Sequence, residues 1–433
     1  MFTKVKGTYD LLPEESKKYT YIEDFLRNIS TLYGFEEIRV PILSSAELIH
    51  RSNGDASDIV SKETYDFKDR GDRIITLRPE GTAPVIRSII ENKMYANYPL
   101  PLKVFYMGNM FRYERPQKGR YREFRQFGVE VVGTNSPYMD AEIIALAYNI
   151  FKELNIKNFR VRLNTLGDDE SRLNYRNALK DYFKNKIDNL CEDCKRRYNT
   201  NPLRILDCKV DKDNEILLNA PKISDFLNQK SKDDFEIVKK YLDELEIPYV
   251  VDEQLVRGLD YYTNTIFELE LTDTSNLGQA GTICGGGRYD NLTQELEGPK
   301  LGSIGFAFGL ERLISIVDFN CDLTHKIDCQ LIPIGEKAKI NMIKMLDFLR
   351  NMGFISEMNY EATNLKGHFK SAENNKAKYL IIQGDDELSK NTVKIKNKLT
   401  NVEEEVNVSD LNELLDYLME SENKINSLEN TEE

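Results

Sequence analysis

The sequence predicts an α+β body broken by a helical insertion, followed by a small α/β domain. Three observations carry this. Strand-like runs cluster over residues 102–165 and return over 249–308. The intervening stretch, 167–248, is polar and of helical period. After residue 328, apolar strand runs alternate with amphipathic helices, the pattern of a small domain with a mostly parallel sheet. We therefore divide the chain into 1–325 (with 167–248 inserted), 328–421, and an acidic, frayed tail over 422–433.

The elements follow in order. Ile22, Phe25, Leu26, Ile29, Leu32 and Tyr33 recur at helical spacing, Pro13 suits a first turn and Gly34 a stop, so 13–33 is a helix. A strand over 35–40 is ended by Pro41. Strands are expected over 102–113, 124–132 and 159–165, with a helix over 138–154. Helices fill 168–186 and 233–245 in the insertion. Strand patterns resume over 249–271, 281–284 and 303–308, and a helix starts near Gly309. In the last domain the strands are 329–334 and 379–382, and the helices 337–351 and 410–419.

Charge excludes less than it first suggests. The net charge of −13 is concentrated at the end of the chain, where residues 401–433 hold eleven acids and one base. The rest is nearly balanced, so a nucleic-acid partner stays open. No apolar run approaches the ~20 residues of a membrane span. The N-terminal stretch lacks a signal-peptide core and the Arg-rich character of a transit peptide. Six cysteines in 433 residues are too few for a disulfide scaffold. The expectation is a cytoplasmic protein with no membrane partner.

Between Lys103 and Arg125 seven basic residues face two acids. A strand, a basic loop and a second strand describe a hairpin able to clamp polyphosphate with forked guanidinium groups. The order Phe111-Arg112-Tyr113-Glu114, then Arg120-Tyr121-Arg122-Glu123-Phe124, resembles motif 2 of the class II aminoacyl-tRNA synthetases. Gly309-Leu310-Glu311-Arg312 resembles their motif 3, and the helix–strand–Pro41 unit their motif 1, which forms the homodimer interface in that class. Leu255-Val256-Arg257-Gly258-Leu259-Asp260-Tyr261-Tyr262-Thr263, with Arg78-Pro79-Glu80-Gly81-Thr82-Ala83 and Cys284-Gly285-Gly286-Gly287-Arg288-Tyr289-Asp290, resembles the histidyl-tRNA synthetase family specifically.

The resemblance implies a catalytic domain on an antiparallel sheet and, over about 328–421, an α/β anticodon-binding domain. It implies ATP and L-histidine as substrates, Mg²⁺ on the β- and γ-phosphates, and tRNA(His) as acceptor. By that resemblance Arg112 bridges the α-phosphate and the histidine carboxylate, Glu114 reads the adenine amino group, and Phe124 stacks on adenine. Arg120 holds the γ-phosphate, and Arg312 lies over the adenine near it. Glu80, Gly81, Thr82 and Gln126 receive the α-ammonium end. Arg257 and Arg112 are the catalytic pair, gripping the α-phosphate from two sides; the structural alternative for Arg257 is an ion pair with Asp260. A silent relative of the same family regulates ATP phosphoribosyltransferase and lacks the last domain; the intact arginines oppose that reading here.

Elementary chemistry agrees. Neutral imidazole presents one N–H donor and one bare nitrogen, so its pocket needs an acceptor opposite a donor. Glu130 and Tyr262 supply them, with Tyr261 alongside and Gly285–Gly287 as a floor without side chains or, alternatively, a hairpin loop. The three histidines, His50, His325 and His368, fall outside every motif, so no protein histidine is expected as a base. Cys191, Cys194 and Cys208 give three candidate metal ligands but no fourth Cys or His nearby, so no cysteine metal site is expected. Lys366, His368, Lys370, Lys376 and Lys378 are offered as tRNA phosphate contacts.

Overall fold

The computed structural model describes residues 2–54, 57, 59–117, 119–259, 261–273, 281–319, 327–362 and 364–429. Two compact units divide at residues 321 and 322.

The first unit is built on an eight-stranded sheet. Its strands are β1 (Glu36–Glu37), β5 (Leu102–Phe111), β6 (Glu123–Val132), β7 (Phe159–Thr165), β8 (Tyr249–Val251), β9 (Thr263–Leu271), β10 (Thr282–Arg288) and β11 (Ser303–Gly309). The order is β1-β5-β6-β11-β10-β9-β7-β8. The six inner strands pair antiparallel, and only the short edge strands β1 and β8 pair parallel to their neighbours. A separate three-stranded sheet, β2 (Leu43–Ser45), β3 (Tyr65–Lys68) and β4 (Ile74–Leu77), has the order β2-β4-β3.

The helix Pro13–Leu32 begins with proline and two acids in its first turn, which suits the helix dipole. It buries Ile22, Leu26 and Ile29 in the same core as Phe127 and Val129 of β6. The helix Pro137–Glu153 is apolar on most of its surface and buries Ile143, Ile144, Leu146 and Ile150 there too. With one face of the large sheet filled this way, the other is free to form a cleft.

Several expectations are corrected. The strand predicted over 35–40 is only two residues long, because Pro41 and the turn to β2 take the chain off the sheet edge. The run 249–271 is two strands separated by a loop that carries Arg257 and the tyrosine pair. Gly285–Gly287 is not a hairpin loop but the middle of β10, held between β9 and β11, and Gly285 lines the cleft as a floor position without a side chain.

The second unit has five strands: β12 (Cys329–Pro333), β13 (Ser356–Met358), β14 (Tyr379–Gln383), β15 (Thr392–Asn397) and β16 (Glu403–Asn407), in the order β13-β12-β14-β15-β16. The first three are parallel, as expected; β15 and β16 add an antiparallel edge that the sequence reading missed. In that edge Lys394 faces Glu405 and Lys396 faces Glu403, so part of the acidic run is used in cross-strand pairing. The final helix, expected to stop at 419, runs Leu411–Glu429, through most of the stretch expected to be frayed.

Candidate active site

The cleft opens where small residues line the exposed face of the large sheet. Strand side chains alternate between faces, so Phe124, Gln126, Gly128 and Glu130 of β6 share one. Opposite them β11 presents Gly309 to Gln126, Ala307 to Gly128 and Gly305 to Glu130. Next in line, β10 sets Gly285 against Ala307 and Gly287 against Gly305, and β9 sets Glu268 against Gly285. A cavity of about 890 Å³ stands on this floor. Phe124 and Glu130 are six residues apart along β6, about 20 Å at ~3.3 Å per residue.

The glycines are required by what packs over them. A Cβ at Gly285 would sit 2.2 Å from the Arg257 guanidinium, and one at Gly305 2.1 Å from Glu130 Oε2. Gly81 does not line the cavity: its N–H donates to Gln126 Oε1 at 3.0 Å, and a Cβ there would strike the Tyr106 ring. The other predicted site residues, Glu80, Thr82, Arg112, Glu114, Arg120, Phe124, Gln126, Glu130, Arg257, Tyr261, Tyr262 and Arg312, all line it.

At one end Glu130 is 1% exposed. Burial pushes its carboxyl up to about 8, outweighing a hydrogen bond from the Tyr289 hydroxyl to Oε2. Its Oε1 accepts no hydrogen bond from the described residues. Tyr261 and Tyr262 pack with ring centroids 4.8 Å apart, and Arg172 of the insertion donates to the Tyr262 carbonyl at 2.9 Å. Glu80 accepts from the N–H groups of Thr82 (2.6 Å) and Ala83 (2.9 Å), capping the helix Thr82–Glu91, and burial raises its carboxyl.

The other end is cationic. Arg112 is fixed by Nε donating to the Pro79 carbonyl at 2.8 Å and lies 5.2 Å from the Phe124 ring centre. Arg120 pairs with Glu114 at 3.3 Å. Burial and the charge of Arg120 together lower Arg312, a pair of like charges that an anion between them would relieve. Glu311 accepts from the Tyr9 hydroxyl and, at 2.7 Å, from the Arg125 N–H, while its buried Oε2 has no partner among the described residues.

Arg257 is held by Glu268; Asp260, the alternative partner considered from the sequence, lies outside the described residues. Glu268 also accepts from Thr282 (2.9 Å) and pairs with Arg162 (3.4 Å). The basic hairpin contributes less than its composition promised. Lys103 pairs with Glu142 and Arg125 with Glu23, and Arg122 stacks on Tyr113; of the seven basic residues, only Arg112 and Arg120 line the cleft among those described.

Sequence reasoning missed Glu268, Tyr289, Gly305 and a wall from the insertion formed by Arg204, Asp207, Lys209 and Lys212. Gly305 had a signal, a glycine inside a strand run; the insertion wall had none, being brought in by tertiary folding. In the second unit, His368 is 3% exposed and Lys378 pairs with Asp328 and Glu422, so neither offers itself to a phosphate. Lys366, Lys370 and Lys376 remain exposed. His325 lies outside the described residues.

The chain is similar to known proteins along nearly its whole length. Residues 7–313 match the family model described as histidyl-tRNA synthetase, and residues 328–418 the one described as anticodon binding domain. A histidine–tRNA ligase of a Geobacillus species is 48% identical over 96% of this chain and 98% of its own. The crystal structure of apo Staphylococcus aureus histidyl-tRNA synthetase superposes with a TM-score of 0.83 at 41% identity, covering 96% of this chain and 100% of that one. A Bacillus halodurans structure titled as an ATP phosphoribosyltransferase regulatory subunit/histidyl-tRNA synthetase, at 22% identity and TM-score 0.64, shares the fold.

Proposed function

The chain belongs to the histidyl-tRNA synthetase family, and from that premise we propose how its cleft works as an ATP-dependent histidine–tRNA ligase. Histidine and ATP give histidyl-adenylate and pyrophosphate, and the histidyl group then passes to the terminal adenosine of tRNA(His). The imidazole sits against Glu130 and Tyr262, with Tyr261 packed beside it and the α-ammonium group near Glu80, Thr82 and Gln126. Phe124 and Glu114 take the adenine, and Arg120 and Arg312 the γ-phosphate end. Opening the Glu114–Arg120 pair frees each for its ligand.

Adenylation brings a carboxylate against the α-phosphorus, so the barrier is charge accumulating between two anions. Arg112 and Arg257 stabilise it because both are fixed in advance, one by the Pro79 carbonyl and the other by Glu268. The residues fit a magnesium-bound polyphosphate: Glu311 Oε2, without a partner among the described residues, would offer a hard oxygen ligand at the cleft, and magnesium takes one or two carboxylates besides phosphate oxygens. Bound there, the ion would neutralise charge on the β- and γ-phosphates. Leu32, Ile42 and Leu43, in or next to the helix–strand–Pro41 unit, expose apolar side chains, which supports a homodimer through that region. No helix among the described residues is long and apolar enough to cross a membrane.

The observation that carries the amino-acid assignment is the buried Glu130 carboxyl with one open oxygen. It predicts a pH profile. Free Glu130 holds a proton below about 8, and free imidazole holds one only below ~6.5. The complex shares one proton between them. Binding should therefore be insensitive to pH between those values and weaken about tenfold per unit from pH 8 toward 9, where a proton must be taken up. In Glu130→Gln, histidine affinity at pH 7 should fall and the alkaline limb disappear, as read by calorimetric titration. An unchanged limb in the variant would remove Glu130 from imidazole recognition.

A further inference from the structure

We propose that Cys191, Cys194, Cys208 and Asp211 form a closed four-ligand site for a zinc-class divalent cation, which clamps the insertion loop that walls the cleft. The four ligand atoms lie within 4.8 Å of one another, the one such group of Cys, His, Asp or Glu among the described residues. Cys191 is the N-cap of the helix Glu192–Thr200, so it and Cys194 in the first turn present their sulfurs at the same helix end. Cys208 follows the short helix Pro202–Ile205, and its Sγ is 3.5 Å from that of Cys191. Asp211 Oδ2 is 3.5 Å from Cys208 Sγ and accepts from the Cys191 N–H at 3.0 Å.

The two 3.5 Å spacings are close to the edge of a metal-centred tetrahedron. Zinc–sulfur bonds of ~2.3 Å place sulfurs about 3.8 Å apart. A disulfide needs ~2.05 Å between sulfurs and would leave the third thiol and the carboxylate without a role. The Asp211 N–H, 3.5 Å from Cys208 Sγ, supplies the outer hydrogen bonding that thiolate ligands ordinarily have. Three thiolates select a zinc-like ion over magnesium, and four protein ligands leave no open position, so the role is structural. Sequence reasoning set the cysteines aside for want of a fourth Cys or His; the fourth ligand is an aspartate three residues after Cys208.

The placement gives the site its use. Asp207 and Lys209, either side of Cys208, line the cleft, and so does Lys212, next to Asp211. Fixing two ligands on this loop fixes that wall.

The test is metal analysis of the full chain, expressed with zinc supplied and purified without chelator. About one zinc per chain is expected, released by a mercurial reagent; cobalt exchange should give intense near-ultraviolet thiolate-to-cobalt absorption. Cys208→Ser should hold at least about tenfold less zinc, and Asp211→Asn should release it at least about tenfold faster to a chelating dye. Full-length protein without zinc and with three titratable thiols at these positions, or with a Cys191–Cys208 disulfide, would overturn the proposal. So would undiminished zinc in Cys208→Ser. The readout is independent of the amino-acid assignment, so the two can fail separately.

Discussion

Replacing Arg257 by alanine is expected to slow histidine-dependent ATP–pyrophosphate exchange by about 10²–10³-fold, the usual cost of removing one preorganised charge-stabilising donor. Histidine affinity should fall far less, because Glu130 is untouched and Tyr262 loses only the guanidinium packed 5.5 Å from its ring centre. The fold should survive the change. Glu268 loses one partner but keeps Thr282 and Arg162, so no buried carboxylate is stranded. Measuring kcat and the histidine dissociation constant on the same preparation separates the two effects. A loss confined to binding would make Arg257 a substrate anchor, and near-normal exchange would end its catalytic assignment.

Arg288→Leu is expected to do the opposite, damaging the fold before the chemistry. Arg288 has a side chain 4% exposed and pairs with Asp140 at 2.7 Å and Asp290 at 2.9 Å. It also donates to the carbonyls of Thr134 and Ser136. Removing it leaves Asp140 buried without its cation, a loss of about 3–5 kcal/mol against the ~5–15 kcal/mol that typical domains have. Chemical denaturation should show the midpoint falling sharply. Stability within ~1 kcal/mol of the parent would mean that solvent or other groups readily replace this contact.

These two arginines show what the sequence can and cannot say. Arg257, Arg112 and Arg120 were legible because each sits in a run whose order carries a function. Arg288 lies in an equally distinctive run, Cys284 to Asp290, yet its work is to pin β10 to the helix Pro137–Glu153. The strand period made the Phe124–Gln126–Glu130 face visible, and the neighbouring glycines hinted at a floor. The floor itself depends on which strands become neighbours, and β6 meets β11 only after a long excursion through the insertion. Glu268 was hidden in an ordinary alternating strand until β7 brought Arg162 beside it. The insertion wall was hidden for the same reason, since its residues carry no periodic signal toward the cleft. In the second unit the lysines looked alike in sequence, and only packing separates Lys378, held by two acids, from exposed Lys366 and Lys370.

The central claim is that this cleft activates histidine, and amino-acid-dependent ATP–pyrophosphate exchange tests it most directly. With the wild-type chain, magnesium and each of the twenty amino acids in turn, only histidine should support exchange above background. Exchange with a different amino acid, or with none, would contradict it.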